Sequence, residues 1–103
     1  MRTITIGEII TDLDKTIPLS WQESYDNAGL LCGNKEEKCT GIYVCFDISE
    51  SVVEKAIANN CNLIVSHHPL VFRAMKRFTS KDNVTTTLLK AITNNIALYS
   101  AHT

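Results

Sequence analysis

His67 and His68 stand side by side in front of Pro69, directly after the apolar run Leu63-Ile64-Val65-Ser66. Imidazole nitrogen is a common ligand for divalent metal ions. A short run of Leu, Ile and Val reads as a buried strand, so the pair falls at a strand exit, where α/β proteins keep their chemistry. Pro69 biases His68 toward extended backbone angles, and successive side chains on an extended segment project to opposite sides. The two rings therefore suit two neighbouring metal ions better than one. A lone histidine in such a place is ordinarily a core or surface residue with a satisfied hydrogen bond; the pairing and the proline are what favour metal.

The flanking sequence supplies elements to hold these residues. Thr5 with Glu8 forms a capping box, and Ile6, Ile9, Ile10, Leu13 and Ile17 recur at helical spacing, predicting a first helix over Ile6 to Lys15. Pro18 ends it, and Ser20 to Glu23 adds at most one turn. Asp26, Asn27 and Gly29 mark a turn before the short apolar piece Leu30 to Cys32, which Gly33 stops. Asn34 to Lys38 reads as a solvated charged loop with no evident chemistry.

From Gly41 the pattern is regular. A strand is expected over Ile42 to Phe46 with Asp47 at its exit, then a helix starting at Ser49 or Ser51 whose apolar face is Val52, Val53, Ala56 and Ile57, closed by Asn59-Asn60. The strand Leu63 to Ser66 follows. A helix over Asn83 to Asn94 with Val84, Leu88, Leu89 and Ile92 inward leads to a third strand, Ile96 to Ser100. This βαβαβ series implies a three-layer α/β core with a mainly parallel sheet flanked by helices. Parallel pairing brings Asp47, the two histidines and His102 to one edge of the sheet, although Asp47 taken alone suits a helix cap and His102 is terminal. Arg73, Lys76 and Arg77 form a basic loop beyond the histidines, within reach of a phosphate or simply solvated.

Composition bounds the function. The chain has 103 residues, enough for one domain over 1–103 with a single core. A net charge of −1 gives no electrostatic footprint for nucleic acid or an anionic membrane. No apolar stretch approaches the roughly 20 residues that span a bilayer, and the start Met1-Arg2-Thr3-Ile4 lacks the apolar stretch of a signal peptide. Cys32, Cys39, Cys45 and Cys61 show no Cys-x-x-Cys spacing, so neither a zinc ribbon nor a thioredoxin-type site is supported. Reduced thiols in a cytoplasmic protein are expected, with Cys45 and Cys61 acting as small buried hydrophobes.

Four separated segments carry a resemblance: Tyr25-Asp26-Asn27-Ala28-Gly29-Leu30-Leu31-Cys32-Gly33, the Phe46-Asp47 strand exit, Ser66-His67-His68-Pro69-Leu70-Val71-Phe72, and Ser100-Ala101-His102-Thr103. In this order and spacing the chain resembles the N-terminal half of the Nif-three-like dinuclear metal-binding family, many of whose members are labelled type 2 GTP cyclohydrolase I. The resemblance implies that His67 and His68 ligate different ions of a two-metal centre; imidazole with carboxylate suits Zn, Mn, Fe, Co or Ni alike. It implies a homohexameric ring and conversion of GTP to dihydroneopterin triphosphate with release of formate. The family motif that opens here at His102-Thr103 continues with an asparagine and an aspartate ligand, and a later His and Glu complete the set. The chain is thus expected to be the N-terminal part of a longer protein, weak in metal binding and inactive alone. Asp26, Asp47, Arg73 and His102 are the further site-edge candidates. A non-catalytic metal-binding or protein-interaction module is the alternative, because Ser66 is the one nucleophile beside the histidines and no Gly-rich phosphate loop occurs.

Overall fold

Apolar runs too short for helices alternate with amphipathic stretches, and each finds the conformation that its period requires. The computed structural model describes residues 4–16, 29–67 and 83–100. Within them lie α1 (Ile6–Thr16), β1 (Gly29–Cys32), β2 (Ile42–Cys45), α2 (Glu50–Ala58), β3 (Leu63–Ser66), α3 (Asn83–Thr93) and β4 (Ala97–Ser100). The strands form one sheet in the order β1-β4-β3-β2. The strands β2, β3 and β4 are parallel, with rungs running from Ile42, Leu63 and Ala97 to Cys45, Ser66 and Ser100. This is the expected βαβαβ core. The piece Leu30 to Cys32 joins it as part of an antiparallel edge strand, with Leu30 opposite Tyr99 and an irregularity before Cys32.

Side-chain alternation divides the core into two layers. Leu63, Ala97 and Tyr99 pack with Ile6 and Ile10 of α1 on one face. Ile64 and Leu98 pack with Val53 and Ala56 of α2 and Leu88 and Ala91 of α3 on the other. Full burial of each Leu or Ile contributes about 2 kcal/mol, so the inner rungs alone hold the layers firmly. Lys90 of α3 pairs with Glu50 and Glu54 of α2 across the outer surface.

Several helix details differ from the sequence expectation. Ile57 and Ile92 point outward, at 37% and 52% exposure, because the stripe of each helix centres on Val53 and Ala56, or on Leu88 and Ala91. Strand β2 ends at Cys45, one residue early, and β4 starts at Ala97, one residue late. All four cysteines are free thiols and half-buried, so Cys45 and Cys61 are less enclosed than expected. The loop from Asn34 to Lys38 has a structural duty: the carbonyls of Glu37 and Lys35 accept from the N–H groups of Ile6 and Gly7, closing the first turn of α1. Thr5 completes that cap by accepting from the Glu8 N–H at 3.2 Å.

The helices α2 and α3 end alike. Asn60 and Asn95 adopt left-handed φ values of 56° and 55°, and the next N–H, of Cys61 or Ile96, reaches back five residues to the carbonyl of Ala56 or Ala91. Asn62 then sets the start of β3, its side chain accepting from the Thr40 N–H at 2.9 Å and donating to the Lys38 carbonyl at 2.6 Å.

Two contacts make testable demands. Gly33 has φ 121°, and a Cβ placed there would lie 2.5 Å from the Ala97 Cβ. Gly33→Ala should therefore cost about 2–4 kcal/mol in urea unfolding; a cost under about 0.5 kcal/mol would show that β1 need not approach β4 so closely. Tyr99 is fully buried, and its hydroxyl donates to Asp14 Oδ1 at 2.7 Å. Burial pushes its phenol well above the usual range, and the Asp14 carboxylate adds to the shift. The folded state keeps a proton that unfolded tyrosine releases near pH 10, so this stabilisation is complete below about pH 10 and is lost as pH rises further. Tyr99→Phe should cost about 1–3 kcal/mol at pH 7 and flatten the alkaline loss, measured by urea unfolding at pH 7 and 10.5. An unchanged alkaline slope would rule the bond out.

Candidate functional site

Parallel pairing delivers the exits of β2, β3 and β4 to one edge of the sheet. Two of the residues singled out by sequence lie there within the described structure. Asp47 is exposed two residues past β2, and His67 is exposed one residue past β3. Since Cys45 and Ser66 share a rung, the two exits are direct neighbours. His68, His102, Asp26 and Arg73 lie outside the described residues, as do Lys76 and Arg77.

Both the backbone and the ring of His67 meet neighbours on β2 and just beyond it. Its N–H donates to the Cys45 carbonyl at 3.1 Å, extending the ladder one step beyond the last rung. Its imidazole meets the Phe46 ring edge-on, with centroids 6.1 Å apart and planes at 78°. Phe46 is 74% exposed, so this neighbour leaves the imidazole open to solvent. Sequence reading took Phe46 for the last strand residue and missed it as a neighbour of His67; its position beside an exit on the adjacent strand was the available signal.

Asp47 does not cap α2. Ser49 does so, its hydroxyl accepting from the Val52 N–H at 3.2 Å. The Asp47 carboxylate acts electrostatically on the strand end instead: burial raises the Cys45 thiol pKa above its usual value, and the negative charge of Asp47 raises it further. Ser66, the nucleophile noted beside the histidines, is 1% exposed and its hydroxyl donates to the Tyr99 carbonyl at 3.4 Å. A hydroxyl so placed cannot meet a substrate.

An imidazole and a carboxylate at neighbouring exits are the kinds of donor that a divalent cation takes. Among the described residues, however, no three His, Cys, Asp or Glu side chains converge to hold one. The donor types fit a metal; their number here falls short. Among the described residues no helix is long and apolar enough to cross a membrane.

A mostly parallel sheet between helix layers defines a three-layer α/β protein. The chain belongs to the Duf34/NIF3 (NGG1p interacting factor 3) family, whose profile matches residues 4–103. It is 41% identical over 98 residues to a GTP cyclohydrolase 1 type 2 homolog of Staphylococcus epidermidis, covering 95% of this chain and 26% of that one. Its identity to the protein of the same name from Clostridium acetobutylicum is 33% over 101 residues, 98% of this chain and 38% of the relative. The crystal structure of Staphylococcus aureus protein SA1388 matches with a TM-score of 0.91 at 34% identity, over 99% of this chain and 29% of that one. The chain thus spans well under half the length of these relatives.

The electrostatic link between Asp47 and Cys45 is directly measurable. Asp47→Asn removes the negative charge, lowers the thiol pKa and should speed alkylation of Cys45 at pH 8 by about twofold. An unchanged rate would place the carboxylate too far from the strand end to act there.

Proposed function

We propose that this chain carries the histidine-bearing half of a two-metal hydrolase site. The observation that supports it best is the register of β2 with β3, which sets the exits bearing Asp47 and His67 side by side. In this reading His67 and His68 each hold one divalent ion, with Zn, Mn, Fe, Co and Ni all compatible with nitrogen and oxygen donors. Bound ions supply Lewis acidity and lower the pKa of water. His67 contributes a ligand from a backbone anchored to Cys45, and the Asp47 charge favours a cation nearby. His102, Asp26 and Arg73 remain candidates for the edge of the same site, Arg73 for contact with phosphate.

The names of the relatives support GTP as the substrate class, and the family resemblance implies opening of the guanine imidazole ring with release of formate. A homohexameric assembly and a cytoplasmic location belong to the same proposal. So does the incompleteness of the site, since two imidazoles cannot hold two ions at a catalytic spacing of about 3.5–4 Å. The engaged hydroxyl of Ser66 favours one competing reading, a metal-binding or protein-interaction module without turnover.

The 103-residue chain should bind Zn2+ weakly, with His67→Ala raising Kd by about tenfold or more in an NMR titration that follows the backbone amides of the strand exits. With GTP and metal it should release no formate. A family-length protein carrying these residues should release formate with at least one of Zn2+, Mn2+, Fe2+, Co2+ or Ni2+; bound metal without formate across all five would support the binding module.

A further inference from the structure

Strand β2 lies at one edge of the sheet, with β3 on its inner side. In their ladder the Gly41 carbonyl accepts from the Leu63 N–H at 3.3 Å and the Cys45 carbonyl from the His67 N–H at 3.1 Å. Trans peptides alternate along a strand, so the N–H groups of Ile42, Val44 and Phe46 and the carbonyls of Ile42 and Val44 turn away from β3. Among the described residues no strand pairs with them. The isolated bridge of Thr5 with Lys38 lies ahead of the strand.

The same three residues carry exposed apolar side chains: Ile42 at 45%, Val44 at 74% and Phe46 at 74% exposure. Ile42 and Val44 share rungs with Leu63 and Val65, on the sheet face that α1 covers further in, whereas Tyr43 and Cys45 pack against the α2 and α3 layer. Exposed edges are ordinarily blunted by lysine, proline, a bulge or a covering element. The opposite edge has such a device, the irregularity of β1 between Leu30 and Cys32. From Ile42 to Phe46 the chain has no charge, proline or glycine, and its register with β3 is unbroken. Such an edge favours cover by another strand.

The pattern of the edge selects its occupant. Antiparallel pairing about a two-fold axis at Val44 sets Val44 opposite Val44 of a second copy and Phe46 opposite its Ile42. The two Val44 residues then exchange a pair of N–H···O=C bonds, and each Phe46 N–H donates to the Ile42 carbonyl of the other copy. Every side chain so matched is apolar. The edge carries no charge that would call for an oppositely charged partner, and a net charge of −1 per chain opposes the meeting of two copies little.

We infer that the outer edge of β2 joins two copies of this chain as an antiparallel strand pair, making one continuous sheet across a two-fold axis at Val44. The inference does not depend on the metal reading.

The test is sedimentation velocity over a dilution series of the chain as wild type, Val44→Lys, Val44→Glu and Ile92→Lys, with urea midpoints to verify that each is folded. Amide hydrogen exchange of wild type at low and high concentration accompanies it. Wild type should dimerise, and exchange of the Val44 and Phe46 amides should slow as concentration rises. Val44→Lys and Val44→Glu each set like charges against each other at the axis and should raise the dimer Kd by about tenfold or more. Mixed in equal amounts they should restore a dimer, because residue 44 meets itself across this axis. Ile92→Lys, at an exposed apolar site on α3, should dimerise as wild type does. A wild type that stays monomeric with those amides exchanging freely would overturn the inference, as would a dimer insensitive to Val44→Lys or one that mixing the two charges fails to restore. Protection of the same amides in a family-length protein but never in the chain alone would also overturn it, assigning the edge to the rest of that protein.

Discussion

Strand β3 has a strand on each edge and helices over both faces, and this enclosure governs the rest of the molecule. Leu63 faces α1 and Ile64 faces α2 and α3, each 0% exposed. A slip of one residue would exchange the two faces along the whole strand and carry Ser66 into the α1 layer. The polar clamps at its start oppose such a slip. Asn62 ties β3 to the lead-in of β2 through its side chain and accepts from the Ala97 N–H of β4 at 2.8 Å through its own carbonyl. With both neighbours registered to β3, the positions of the three exits follow.

The two ends of the parallel ladder are chemically unlike. At the start, polar groups of the loops are matched to one another: Asn60 and Asn95 close their helices, and Asn62 and Thr40 are engaged. At the exits one group is left over among the described residues, the buried hydroxyl of Ser100. An end where backbone and side chains satisfy each other gains little from a ligand. An end holding a buried donor without an acceptor gains the full desolvation cost of that donor, about 1–3 kcal/mol, when the acceptor arrives.

Much of this was legible in the sequence, for a physical reason. Runs such as Leu63 to Ser66 have one reading as strands because they are short, β-branched and bounded by turn residues, and the intervening amphipathic stretches leave no topology except parallel crossovers. The exits of β2 and β3, and with them Asp47 and His67, follow from that alone. What sequence misjudged depended on partners distant in the chain. Ile57 and Ile92 fit a helical stripe by spacing, but the width of the stripe that is covered is set by how α2 and α3 lie against each other and the sheet. The antiparallel pairing of β1 with β4 joins residues 66 or more positions apart, and no local pattern encodes it. Ser66 and Ser100 have the same type, rung and burial; only the three-dimensional surroundings make one satisfied and the other not.

The two edges of the sheet differ in how much they enclose, and His67 belongs to the more open one. On one edge, β1 is locked to β4 by the close approach of Gly33 to Ala97. On the other, α1 leaves Ile42 and Val44 of β2 exposed, with Phe46 beyond them. His67 stands beside this open edge, so its backbone position comes from the Cys45 carbonyl while the ring contact it makes is with an exposed phenyl. In the metal reading proposed above, any rotamer freedom that an exposed ring gives up on binding an ion subtracts from what one coordinate bond supplies. Ligand number and support therefore outweigh the identity of any single donor at this site.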